Sequence, residues 1–150
     1  MKGSSFRFRL ERVRALRERK EETAKQALGD ALDHHARGER ALRTVEHALD
    51  GARAAQRHAS AGPINAVDLL AHQAYLERTE AARRATCDEL ARREHELARR
   101  RDALTAATRD LQALERLKQH RREEYDREAA RQEGLVLDEL AVTRFRRSAA

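Results

Sequence analysis

Proline and cysteine each occur once in 150 residues, tryptophan is absent, and aromatic side chains make up 3 % of the chain. With Cys87 alone, no intramolecular disulfide can form and no oxidising compartment is implied. So few aromatics leave little to fill a compact globular core. No stretch approaches the ~20 consecutive apolar residues of a membrane span. The basic start lacks the apolar run of a secretory leader, so a cytosolic protein is expected. The six glycines are scattered rather than gathered into a phosphate-cradling loop, which argues against nucleotide binding by this chain.

Charge is abundant instead. Asp, Glu, Lys and Arg make up 39 % of the residues, and the mean hydropathy is -0.90. Such values fit either disorder or long solvent-exposed helices. The scarcity of Pro and the periodic Leu decide for helix. The net charge of +6 is concentrated at the start. There Lys2, Arg7, Arg9, Arg12, Arg14, Arg17, Arg19 and Lys20 face only Glu11 and Glu18. That end carries a positive field suited to an acidic protein surface or to nucleic acid.

A first helix is predicted over about 6–58, capped by Ser4 or Ser5. Its apolar positions begin with Phe6, Leu10, Val13 and Leu16 and resume with Ala24, Leu28 and Leu32, then Leu42, Val45, Leu49 and Ala52. Gly29, Gly38 and His34-His35 weaken the stripe between, and Gly51 is a third mid-helix glycine. Gly62-Pro63 then breaks the helix within a turn near 59–64, with Gly62 expected in the left-handed conformation. Asn65 reads as the cap of a longer second helix over about 65–147.

That helix carries Leu69, Leu76, Leu90, Leu97, Leu104 and Leu111 on one seven-residue register, interrupted by Arg83 and continued through Lys118 to Tyr125. A repeat this strict implies a supercoiled helix pair. The companion seam position, read as Cys87, Glu94, Arg101 and Thr108, is poor. The expected fold is all-α: a single domain over 1–150, two long helices paired as an antiparallel coiled-coil hairpin. The longer helix should overhang its partner by roughly 40 Å. The overhang carries an apolar cluster of Leu135, Val136, Leu137, Leu140, Val142 and Phe145. Exposed apolar surface of this kind marks a partner site.

Candidate chemistry is sparse. Asp33 with His34-His35 and the run Glu94-His95-Glu96 hold metal-ligand residue types, but adjacent histidines point to different helix faces and the HExxH spacing is absent. Cys87 and His95 are eight residues apart on one helix, too far for a nucleophile and its base. Cys87 reads as a small hydrophobe in the seam. No enzyme, cofactor or metal is expected. The Arg clusters Arg92-Arg93, Arg99-Arg100-Arg101 and Arg121-Arg122 raise nucleic-acid binding as an alternative. The acids between them and the missing aromatics weigh against it. A homodimerising structural coiled coil is a third reading.

The opening Phe6-Arg7-Phe8-Arg9-Leu10-Glu11-Arg12-Val13 and the following Leu16-Arg17-Glu18-Arg19-Lys20-Glu21-Glu22 resemble the N-terminus of the flagellar FliJ family. Leu114-Glu115-Arg116-Leu117-Lys118, Arg121-Arg122-Glu123-Glu124-Tyr125 and Leu137-Asp138-Glu139-Leu140-Ala141…Arg144-Phe145 resemble its C-terminal helix. The resemblance implies a cytoplasmic component of the flagellar type III export apparatus, peripheral to the inner membrane and similar to the central stalk of rotary ATPases. Implied partners are the hexamer of the export ATPase FliI, the gate protein FlhA and export chaperones. No small-molecule substrate is implied, and nucleic acid is not expected. By this resemblance Phe6, Phe8, Leu10, Arg12, Val13, Leu137, Leu140 and Phe145 would meet the ATPase ring. Gate contact is expected near the turn, at Tyr75 and Thr79 off the Leu register and at Leu42, Val45 and Leu49.

Overall fold

The computed structural model describes residues 6–63 and 65–148. They form an all-α hairpin of two helices, α1 (Glu11–Ala59) and the longer α2 (Ala66–Ser148), with no strand among the described residues. The chain divides into two compact units: Glu22–Thr105, which holds the turn, and Met1–Glu21 with Ala106–Ala150.

In the turn-bearing unit, the chain leaves α1 with Ser60 N–H donating to Gln56 O (3.0 Å) and Ala61 N–H to His58 O (3.2 Å). Gly62 does not take the expected left-handed conformation: no described glycine has a positive φ. The exit is made by these bonds and by Pro63, which cannot continue a helix. Asn65 caps α2 as predicted, its side-chain oxygen accepting from Val67 N–H at 3.1 Å.

The seam of this unit is asymmetric. From α1 it takes Ala24, Ala31, Gly38, Val45, Ala52 and Ala59 at seven-residue intervals, all buried or half-buried. Leu28, His35, Leu42, Leu49 and Gln56 form the companion row. From α2 come Leu69, Leu76, Leu90, Leu97 and Leu104, while Arg83, which breaks their register, stays exposed. Leu49 (4 % exposed) and Leu97 (6 %) lie deepest. Small side chains on one helix let the other approach closely, so leucines from α2 fill the space that α1 leaves.

The companion row of α2 differs from the expected one. Cys87 and Thr108 are half-buried as expected, but Glu94 and Arg101 are exposed, and His72, Thr79, Thr86 and Arg93, three residues beyond Leu69, Leu76, Arg83 and Leu90, enter the seam as well. Both spacings neighbour a helical residue; the polar row is tolerated because its members find partners. Thr79 donates to Tyr75 O at 2.8 Å, and Arg93 donates to His34 O at 2.9 Å.

Gly38 is therefore part of the seam rather than a gap in it. A Cβ there would lie 3.1 Å from Leu90 Cδ1 and 3.2 Å from Arg93 Cδ. The Arg93 stem occupies the place of a side chain at residue 38. Ion pairs flank the seam from outside, Arg83 with Glu46 (3.3 Å) and Arg53 with Glu80 (3.2 Å). As the α1 number rises the α2 number falls, so the helices run antiparallel.

The other unit is built differently. α1 begins at Glu11, five residues later than the pattern predicts, with Glu11 N–H donating to Phe8 O (3.2 Å). Ser4 and Ser5, the expected caps, lie outside the described residues. Phe6 packs on Tyr125 (centroids 5.8 Å apart), and Arg122 stands 5.5 Å from the Phe6 ring centre. These contacts favour a non-helical approach to α1.

Leu111 is buried and Ala107 and Leu114 are half-buried, but α1 offers them mainly polar side chains. Arg17 pairs with Asp110 (2.7 Å), Lys118 with Glu11 (2.8 Å), and the Thr108 hydroxyl donates to Glu21 (2.9 Å). The expected apolar stripe of this turn of α1 faces elsewhere: Leu10, Val13 and Leu16 are 39–53 % exposed. Here ion pairs line the partly exposed edge of the helix contact in place of apolar side chains.

Helical glycines with open surroundings give a direct test of the glycine at close approach. Gly29 and Gly51 have nothing within 4 Å of an added Cβ. Gly29→Ala and Gly51→Ala should each raise stability in urea unfolding by about 0.5–1 kcal/mol. Gly38→Ala should gain less than either, because Leu90 and Arg93 must yield. Gly38→Leu should lose about 1–3 kcal/mol by overpacking.

Candidate functional site

The described residues offer surfaces rather than an enclosed pocket. Around the start of α1, Phe6 and Phe8 are half-buried while Arg7 and Arg9 are exposed. This alternation is that of an extended backbone, which sends successive side chains to opposite sides. Leu10 and Val13 continue the apolar surface, and Arg12 is exposed beside them. Leu117 of α2, 37 % exposed, lines one cleft with Leu10.

The second surface is the end of α2. Leu135, Val136, Leu137, Leu140, Val142 and Phe145 are 51–74 % exposed. At about 100° per residue, they are distributed around the whole helix, leaving no arc wider than roughly 100° without one. An amphipathic surface helix keeps its apolar residues on one stripe; here Asp138, Glu139, Arg144, Arg146 and Arg147 stand between them, and exposed apolar side chains are offered on every side.

Upstream of it, Arg131 grips Glu128 through two bonds of 2.8 and 2.9 Å, and Gln132 adds a third at 3.0 Å. These bonds lower the Glu128 carboxyl from 4.5 to about 2. Glu11 is lowered as well, by its bonds to Lys118 and then Arg14.

The third surface lies near the turn. Tyr75 is 47 % exposed there, as expected of a residue off the Leu register. Thr79 differs from that expectation, being 8 % exposed inside the seam. Leu49 is buried and Leu42 and Val45 are half-buried between the helices, so among the five candidates only Tyr75 presents an open side chain. The reason is geometric: Thr79 follows Leu76 by three residues and falls on its face.

Sequence reasoning missed two exposed residues in this region, Val67 (73 %) and Leu70 (70 %). With exposed Ala71, Ala74, Ala81 and Ala85 they repeat at helical spacing on the face opposite the leucines. That spacing was legible, but alanine is a weak signal of an apolar face.

The polar candidates separate. His34 is exposed, whereas His35 is half-buried and stands 3.7 Å from Glu94 and 4.0 Å from Glu39. Glu96 pairs with Arg99 and Arg100, and Cys87 is half-buried. No helix among the described residues is long and apolar enough to cross a membrane.

Residues 6–150 match the family described as flagellar FliJ protein. The chain belongs to the FliJ family. It is thereby a component of the flagellar export apparatus, in a family of structural rather than enzymatic parts. No curated protein and no solved structure matches it. The match spans both helices of the hairpin and takes in the Phe6–Val13 surface and the exposed end of α2.

The carboxylate grips have a pH signature. A depressed folded-state value means that the stabilisation is complete above 4.5 and is lost as pH falls through the lower value. Amide protection around residues 126–134 should therefore hold at pH 5–7 and decline between 4.5 and about 2. Glu128→Gln should show reduced protection at pH 7 and remove that part of the pH dependence.

Proposed function

We propose that this chain is the non-enzymatic stalk of a flagellar type III export machine, cytoplasmic and peripheral to the inner membrane. Its termini engage and stimulate the FliI ATPase hexamer, its turn-proximal surface links that ring to the FlhA gate, and it escorts export chaperones. The observation that carries the reading is the end of α2, where exposed apolar side chains stand on every side of the helix among charged ones. A ring closing around a helix is a partner that covers all sides at once. Exposed Leu10, Val13 and Arg12 add a second contact of mixed apolar and basic character. The ATPase-facing set is thus Phe6, Phe8, Leu10, Arg12, Val13, Leu137, Leu140 and Phe145.

For the gate, the exposed stripe through Val67, Leu70 and Ala74 with Tyr75 beside it is the favoured surface. Thr79, Leu42, Val45 and Leu49 act behind it by setting the position of α2.

Leu137→Asp with Leu140→Asp in the full chain should abolish stimulation of the cognate hexameric ATPase while helicity by circular dichroism is retained. Stimulation at the unmodified level would reject the ring contact. For the gate, Leu70→Asp should weaken binding to the soluble part of FlhA about tenfold or more, as expected when a charge enters an apolar contact. Thr79→Ser, confined to the seam, should leave binding unchanged. Equal binding by the Leu70 variant would exclude this stripe.

A further inference from the structure

The cleft beside the start of α1 is lined by side chains of different chemistry. It is open to solvent, with a volume of about 850 Å³. Phe6, Phe8, Leu10, Leu117 and Tyr125 form its apolar part. Arg7, Arg9 and Arg121 are its basic members, and Glu124 and Glu128 its acidic ones.

The acidic members are already neutralised. Glu124 receives Arg121 (3.0 Å) and His120 (3.2 Å), and Glu128 is held by Arg131. Arg7 and Arg9 make no ion pair among the described residues, and neither does Arg12 on the far side of the same segment. The net unsatisfied charge around the apolar part is therefore positive.

From this we infer that the cleft is a docking site for an acidic protein segment that sets an apolar side chain between carboxylates. The inference rests on the ATPase-binding reading and gives that contact its partner chemistry. Phe6 and Tyr125 already pack on each other, with Arg122 over Phe6, so these rings are committed to the fold rather than open for base stacking. A polyphosphate backbone would satisfy the arginines but leave Leu10 and Leu117 in water. An acidic, leucine- or phenylalanine-bearing segment satisfies both.

The test uses the full chain and a synthetic peptide in which Leu and Phe alternate with Glu. Amide chemical shifts should move saturably at residues 6–12 and 117–128. Affinity should fall steeply between 50 and 200 mM salt, as for charge pairing at a surface. Arg7→Glu with Arg9→Glu should weaken the peptide about tenfold or more, with helicity retained. A peptide with Gln for Glu should bind correspondingly worse.

No shift with the acidic peptide, or equal binding by the double variant, would overturn the inference. So would tighter binding of a single-stranded oligonucleotide or of anionic phospholipid vesicles. ATPase stimulation by the unmodified chain is measured alongside. Stimulation without peptide binding refutes the acidic segment and leaves the stalk reading intact. Peptide binding without stimulation does the reverse.

Discussion

Close approach of α2 to the small side chains of α1 is the constraint on which the turn-bearing unit depends. Ala24, Ala31, Gly38, Ala52 and Ala59 give the interface little apolar bulk of their own. They give it proximity, and the leucines of α2 supply the area. Each leucine is worth burying only because the opposing backbone is near. No large side chain among the described residues is fully buried, so stability is distributed over many shallow contacts. Gly38 marks the limiting case, where the Arg93 stem replaces the missing side chain and its guanidinium ends on a backbone carbonyl.

A seam this economical leaves apolar residues over. In a chain of mean hydropathy -0.90, exposed Leu and Val are few enough for their positions to be informative. Apart from Leu32 and Leu117, they fall on three surfaces: Leu10 to Leu16, Val67 and Leu70, and Leu135 to Phe145. Each has a different setting. The first lies beside the ion pairs of Lys118 and Asp110, the second lies opposite the leucines, and the third lies beyond Tyr125, where the leucine register ends.

Much of this was legible in the sequence. The leucine register, the break at Pro63 and the cap at Asn65 rest on local chemistry, and each reappears in the structure. What was not legible depends on the opposing helix. Positions three and four beyond a leucine both neighbour it on the helix, and the spacing alone does not tell that Thr79 and Arg93 lie inside the seam while Glu94 stays exposed at its edge beside His35. Likewise Phe6, Leu10 and Val13 carry a helical spacing, but Tyr125 and Arg122 draw Phe6 out of the helix. The start of α1 was misplaced because propensity knows nothing of a ring more than a hundred positions away.

Lys118 shows how specificity and function share one residue. On the leucine register it replaces an apolar side chain with a cation, which weakens hydrophobic pairing and favours the register in which Glu11 faces it (2.8 Å). On the same stretch of α1, Arg14 and Arg17 are half-buried in ion pairs with Glu11 and Asp110, while Leu10 and Val13 stay exposed. The polar pair thus favours one alignment of the helices, and the start of α1 beside it keeps an apolar and basic surface to offer a partner.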